Sequence, residues 1–106
     1  MPQTPYNAQN SILTTAGGQF NKLNITTITA VKTIPGRIAT VVINAANSTA
    51  VKVYDTNATA SAAAANQIYI GTSTGVVGTV VTLNFPCLTG IVVDPGTGGN
   101  VSVSYL

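Results

Sequence analysis

Few side chains in this sequence could do chemistry. The 106 residues include no histidine and no glutamate, and the only acidic side chains are Asp55 and Asp94. Histidine is the usual general base and a common metal ligand near neutral pH. Each aspartate adjoins a turn, where a carboxylate commonly accepts hydrogen bonds from the backbone of that turn. We therefore expect both aspartates to be structural, and we predict that the protein is not an enzyme.

The single cysteine, Cys87, has no partner for catalysis or for an intrachain disulfide. A cysteine nucleophile needs a nearby base, and the sequence has no histidine to supply it. Phe85 and Leu88 flank Cys87, so we expect a buried side chain that acts as a small hydrophobe. No phosphate-binding glycine loop and no cluster of carboxylates for calcium occurs in the sequence. We predict no catalytic residue, no metal ligand and no cofactor.

The low charge is the most unusual property of the chain. Charged residues make up 6% of the sequence, against about 25% in ordinary globular proteins. The four basic residues, Lys22, Lys32, Arg37 and Lys52, are too few to follow a phosphate backbone, so we expect no nucleic-acid partner. Two interpretations stay open: a monomer covered in hydroxyls and amides, or a surface covered by partners. We favour the second, because the cores of protein interfaces are depleted in charge.

Targeting signals are missing from the sequence. The first residues, MPQTPYNAQNS, have neither a basic start nor an apolar run, so we expect no signal peptide. No stretch approaches the roughly 20 apolar residues of a membrane-spanning helix. We expect no membrane association and a protein that stays where it is made or leaves by cell lysis.

From Asn21 onward, valine, isoleucine, threonine and tyrosine dominate, which favours β-strands. The pattern predicts seven or eight short strands at spacings of about 8–12 residues, which is typical of sandwiches and barrels. The Ala-rich segment 56–66 is expected to be a loop with room for one short helix. We predict an all-β domain over residues 21–106, a single antiparallel β-sandwich that is jelly-roll or immunoglobulin-like. The predicted strands are 23–34 (one or two strands), 37–44, 49–55, 67–72, 79–85, 90–94 and 100–106.

Turn residues and alternation give more detailed expectations. Pro35-Gly36 has the composition of a type II turn, which requires a positive φ at Gly36. Pro86 is expected to end the strand 79–85, because proline lacks the N–H that a ladder needs. Alternating apolar positions predict the core residues. These are Val41, Ile43, Val51, Val53, Val81, Leu83, Val92 and Val101.

Residues 1–20 differ from the remainder of the chain. They are rich in Gln, Asn, Thr, Pro and Gly and show no strand period. A chain terminus of this kind is either an unattached tail or an extended arm that becomes ordered on a neighbouring subunit. We favour an N-terminal arm, with Ile12, Leu13 and Phe20 as its partner-binding residues.

Residues 32–55, KTIPGRIATVVINAANSTAVKVYD, resemble a pattern found in small structural proteins of tailed bacteriophages. That pattern is a strand, a Pro-Gly-Arg turn, an apolar strand, and a strand ending in Tyr-Asp. The resemblance extends over roughly residues 25–106, through Asn66-Gln67-Ile68 and Phe85-Pro86 to the final Val-Ser-Val-Ser-Tyr strand. It implies a β-sandwich virion protein that is made in the host cytoplasm and has no catalytic residues.

Within a virion, two roles stay open. A capsid decoration or cement protein, expected to be a trimer, would stabilise the phage head by binding across subunits of the major capsid protein. A tail, fibre or baseplate component would bind other virion proteins, with a receptor-binding or adaptor role. A small cell-wall hydrolase is a third class, which the missing histidine and glutamate disfavour. We favour the decoration protein, as a homo-oligomer.

Overall fold

Eight β-strands contain about half of the residues that the structure describes, which are 17–72 and 75–106 in this computed structural model. Two short 3₁₀ helices, Thr59–Ser61 and Ala64–Asn66, lie in the Ala-rich segment, where the sequence leaves room for one short helix. In the described part of the chain, no helix has the length and apolar character needed to cross a membrane. The strands are β1 Phe20–Ile25, β2 Thr29–Lys32, β3 Gly36–Ala45, β4 Lys52–Tyr54, β5 Gln67–Ile70, β6 Val80–Cys87, β7 Ile91–Asp94 and β8 Asn100–Tyr105.

The strands form two antiparallel four-stranded sheets, which confirms the predicted β-sandwich. Sheet I has the order β1-β8-β3-β6, and sheet II has the order β2-β7-β4-β5. Along the chain, the first strand pairs with the last, the second with the second-last, and so on inward, as in a long hairpin wrapped into two sheets. These pairs are β1–β8, β2–β7, β3–β6 and β4–β5. This is the jelly-roll arrangement of eight strands. An immunoglobulin-like sandwich instead divides its strands as ABED and CFG, so the order decides between the two predicted topologies.

The core between the sheets contains most of the predicted residues. Val81 and Leu83 are only partly buried against it, because they lie on β6 at the edge of sheet I. Val92 is fully buried, but it lies on the opposite face of β7 from the core residues Ile91 and Val93. The core cluster is Ile25, Ile38, Val41, Ile43, Val51, Val53, Cys87, Ile91, Val93, Val101 and Val103.

Gly36 does not have the positive φ that a type II turn requires, so that prediction is wrong. The residue begins β3 and pairs with Cys87 across the sheet. Glycine is needed for a different reason: a Cβ atom placed here would clash with the carbonyl oxygen of Leu106. The backbone of the C-terminal residue therefore occupies the space that any side chain at this position would need.

Pro86 does not end its strand, because β6 continues to Cys87. Pro86 pairs with Arg37, and β6 is an edge strand of sheet I. An edge strand presents one row of N–H groups to solvent, so a proline there costs no ladder hydrogen bond. The expectation failed because it did not consider an edge position for this strand, where proline is tolerated.

Candidate functional site

Asp55 clamps a distant loop, the one that follows β6. Its carboxylate oxygens accept hydrogen bonds from the backbone N–H groups of Leu88 at 3.0 Å, Thr89 at 2.8 Å and Gly90 at 3.3 Å. Burial alone would raise the pKa of Asp55. The three hydrogen bonds lower this pKa by more than burial raises it, so the pKa of Asp55 lies below 3.8. The expected structural role agrees with this geometry. The expected partner, the backbone of its own turn, was wrong, because the donors lie more than 30 residues along the chain.

The other two candidates for chemistry are also occupied by the fold. Asp94 accepts a hydrogen bond from the backbone N–H of Gly96 at 2.9 Å, as expected for an aspartate that begins a turn. The Cys87 side chain is 1% exposed, and burial raises the pKa of its thiol to about 11. Among the described residues, no three His, Cys, Asp or Glu side chains gather in a way that could hold a metal ion.

The outer face of sheet I presents an uncharged surface that the strand register defines. Cross-strand pairs place Ser104 beside Asn21 and Thr40, and Thr40 beside Thr82. A second row pairs Ser102 with Val42, and Val42 with Val80. We call this surface the sheet I face and define it by Asn21, Leu23, Thr40, Val42, Asn44, Val80, Thr82, Ser102 and Ser104.

Amide and hydroxyl groups hold one side of the sheet I face together. Asn44 donates from its side-chain amide to Ser102 Oγ at 2.8 Å, and the backbone N–H of Asn24 reaches the same oxygen at 3.4 Å. Asn100 donates to the side-chain oxygen of Asn24. Beside this network lies a shallow groove of about 250 Å³ that includes Leu23, which is 63% exposed. The face therefore combines fixed polar groups with exposed apolar ones, and it has no charge.

Both edges of sheet I are irregular. On β1 the register shifts between Lys22 and Ile25, and Asn24 has a φ of 59°. On β6 Asn84 has a φ of 46°, and Arg37 Nη1 donates to its carbonyl oxygen at 2.8 Å. Bulges and charged side chains at an edge oppose the addition of another strand. Partners of this sheet are therefore expected to contact its face or its ends.

A second surface opens where the edge strands β1 and β2 of the two sheets come together. This β1–β2 groove has a volume of about 400 Å³ and is lined by Phe20, Val31, Lys32, Thr33, Ile34 and Tyr105. The rings of Phe20 and Tyr105 lie 5.8 Å apart, centre to centre, and form one wall. Phe20 and Ile34 are 55% and 61% exposed. The groove is apolar apart from the hydroxyls of Thr33 and Tyr105 and one cation, Lys32.

Of the three predicted arm residues, only Phe20 can be placed. It is the first residue of β1, where it pairs with Tyr105 and lines the β1–β2 groove. Ile12 and Leu13 lie outside the described residues. The sequence reasoning missed the sheet I face, although its signal was present: serine alternates with valine in β8, and the serines are the outward residues.

Comparison with known proteins identifies no relative. No protein-family model, no curated protein and no solved structure matches this chain. These comparisons add no support to the resemblance with phage structural proteins.

Proposed function

We propose that this chain is a virion structural protein, and specifically a capsid decoration or cement protein that binds across capsid subunits. The observation that carries the proposal is an eight-stranded jelly roll that presents the uncharged sheet I face. Jelly rolls recur in viral capsid and lectin domains. Because a fold alone does not determine function, the properties of the face have to supply the remainder of the argument.

The sheet I face suits permanent attachment. Leu23 and Val80 are 63% and 60% exposed, and they lie among the hydroxyls and amides of neighbouring strands. Contacts of this kind do not depend on counterions, so they hold at any ionic strength. A protein that must stay on a particle outside the cell benefits from that property. The low charge of the chain, which we read as a surface covered by partners, is consistent with it.

The size of the face explains why attachment would involve several contacts. Six residues of β8 and four strands give a face of roughly 20 Å by 20 Å, or about 400 Å². A stable interface buries about 800 Å² on each partner. One face is therefore too small to hold the protein on its own. Oligomerisation, contacts to more than one capsid subunit, and an N-terminal arm would each add the missing area.

A tail, fibre or baseplate component is the second candidate. The jelly roll is also a lectin architecture, and rows of hydroxyl and amide groups such as those on the sheet I face can hydrogen-bond a sugar. This role predicts few copies in each particle. A decoration protein is present in hundreds of copies, because it follows the capsid lattice.

The deciding experiment counts the protein in purified particles. Particles released by lysis of the host are purified on a density gradient, and quantitative mass spectrometry gives the ratio of this chain to the major capsid protein. A ratio corresponding to hundreds of copies supports decoration, and a ratio corresponding to a few copies supports the tail or fibre role. If the chain is absent from the particles, the proposal of a virion protein is wrong.

A matched pair of variants tests the sheet I face itself. Leu23→Lys places a charge on the face, at a side chain that is already exposed, so the melting temperature should change little. Ala65→Lys adds the same charge at an exposed position in the segment between β4 and β5. We expect Leu23→Lys to lose binding to undecorated particles and Ala65→Lys to keep it. Equal binding by both variants would exclude the face as the attachment surface.

A further inference from the structure

We propose that the β1–β2 groove receives Ile12 and Leu13 from the N-terminal segment of a second copy of this chain. This inference rests on the proposed function, which assigns the segment to assembly, and it names the surface that the segment binds. The groove joins the open seam between sheets I and II, where β1 and β2 are both edge strands. Exposed apolar surface of this kind commonly marks a site of interaction with another chain.

The chemistry of the groove matches the segment. Phe20 and Ile34 expose more than half of their surface, and Lys32 is the only charged residue in the lining. The first 16 residues carry no charged side chain, and Ile12-Leu13 is their only pair of adjacent large aliphatic residues. Burying this pair against Phe20 and Ile34 removes apolar surface on both sides and leaves no charge buried without a partner.

The N-terminal segment joins β1 close to the β1–β2 groove, which favours the segment as the occupant of the groove. The backbone N–H of Gln19 donates to the carbonyl oxygen of Tyr105 at 3.0 Å, and Gly18 lies so close that a Cβ atom there would be 2.9 Å from the Tyr105 nitrogen. The segment therefore starts beside Tyr105, which lines the groove. Leu13 is five residues before Gly18, and five residues reach at most about 17 Å.

The same geometry favours a second copy over the chain's own groove. Phe20 lines the groove and follows Leu13 by seven residues, so a segment that continued the line of β1 would carry Leu13 up to about 23 Å from the groove of its own chain. A second copy that met the first at this end of the sandwich would bring its own groove within that reach. Phe20 belongs both to the groove and to the place where the segment begins. A single two-fold axis between two copies would therefore place each segment beside the groove of the other copy.

Sedimentation velocity tests the association with a matched control. The paired substitution Ile12→Asp and Leu13→Asp removes the apolar contact from the segment, and Ile34→Asp removes it from the groove. Ile70→Asp is the control, because Ile70 is 54% exposed on β5, at the opposite edge of sheet II. We expect the parent and the control to associate and both test variants to be monomeric. A monomeric parent, or test variants that associate like the parent, would overturn the proposal.

Disulfide trapping separates exchange between copies from docking within one chain. A chain with Leu13→Cys is mixed with a chain of different mass that carries Thr33→Cys. The native Cys87 is buried and does not compete. We expect the mixed disulfide to form about tenfold faster than with a partner carrying Thr82→Cys, because docking raises the effective concentration. Equal rates would overturn the proposal, as would a double variant, Leu13→Cys with Thr33→Cys, that closes only within single chains.

These measurements use the isolated protein, so they are independent of the particle count. If the chain is abundant in particles but the copies do not exchange segments, only the inference about the groove is wrong. If the copies exchange segments but the chain is absent from particles, the groove assignment stands and the virion role is wrong.

Discussion

Asn47 provides the sharpest test of how the loops at one end of the sandwich are held. Its side chain is 4% exposed. The side-chain amide donates to the carbonyl oxygen of Thr49, and its oxygen accepts from the backbone N–H of Gly75 at 2.6 Å. Gly99 packs close to the same residue, since a Cβ atom there would be 3.1 Å from Asn47 Cβ. One asparagine thus connects the loop before β4, the loop before β6 and the loop before β8.

The substitution Asn47→Ala removes both hydrogen bonds and leaves two backbone groups without a partner. An unsatisfied buried polar group costs about 1–3 kcal/mol. Both hydrogen bonds are only partly buried, so water can reach the freed groups and the lower part of that range applies. We expect the free energy of unfolding to fall by about 2–3 kcal/mol. In a domain of this size that corresponds to a fall in melting temperature of roughly 10–20 °C.

The substitution Asn47→Asp separates hydrogen bonding from shape. The carboxylate can still accept from Gly75, but it places negative charge against the carbonyl oxygen of Thr49. The protonated acid can donate to that oxygen, so the folded state favours the proton and the pKa of the introduced acid is raised on folding. A raised folded pKa means that stability falls as pH rises. The variant should therefore approach the parent in acid and fall further below it near neutral pH.

Urea unfolding followed by circular dichroism measures these differences. The control is Asn44→Ala, which removes an exposed side chain that donates to Ser102 Oγ at 2.8 Å. We expect the control to cost less than about 0.5 kcal/mol, as is usual for surface substitutions. If Asn47→Ala also unfolds within about 0.5 kcal/mol of the parent, Asn47 does not hold these loops and the reasoning fails.

Three further predictions follow from single contacts. Asp55→Asn should lower the free energy of unfolding by about 1–3 kcal/mol at neutral pH, a figure reduced for partial exposure. Because the pKa of Asp55 is lowered below 3.8 on folding, the difference from the parent in urea unfolding should shrink as the pH falls through that region. A difference that does not depend on pH would contradict the charge-based clamp. Gly36→Ala should destabilise the protein by about 1–3 kcal/mol, because the added Cβ atom clashes with Leu106. Gly98→Ala should cost less, about 1 kcal/mol, because φ there is 73° but the space around it is open. If urea unfolding gives the reverse order, the close approach of Leu106 does not explain Gly36. Cys87 should react with a thiol reagent only after unfolding, because burial raises the pKa of its thiol to about 11; labelling of the native protein at the rate of a free thiol would refute that burial.

The fold class was predictable from the sequence because its signals are local. Alternation places Val51 and Val53 in the core on either side of Lys52, and the structure has them there. The strongly marked turn after Asp94 connects β7 to β8, with positive φ at Gly96 and Gly98. Residues close in sequence determine both features, so pattern and composition are sufficient to predict them.

The errors concern residues whose environment comes from distant parts of the chain. Position 36 needs glycine because the backbone of Leu106 lies where a side chain would be. Asp55 accepts hydrogen bonds from a loop that follows β6. The sequence reasoning did not mark Asn47 as a core polar residue, because its partners include Gly75, 28 residues away. Strand order was also outside its reach, since the jelly roll and the immunoglobulin-like sandwich share the same local alternation. The β1–β2 groove has no local signal, because its lining comes from β1, the β2 region and β8.

The edges of sheet I bear on how this protein can assemble. An edge strand with a regular row of free N–H and C=O groups invites pairing with another copy and produces open-ended fibres. Here β1 and β6, the two outer strands of that sheet, each contain an asparagine with positive φ, and Arg37 occupies the carbonyl oxygen of Asn84. The chain has few charged residues to keep copies apart, and these irregular edges oppose the pairing of strands between copies. Both edges are therefore poorly suited to adding a strand, and the association that we propose would use the sheet I face and the β1–β2 groove instead.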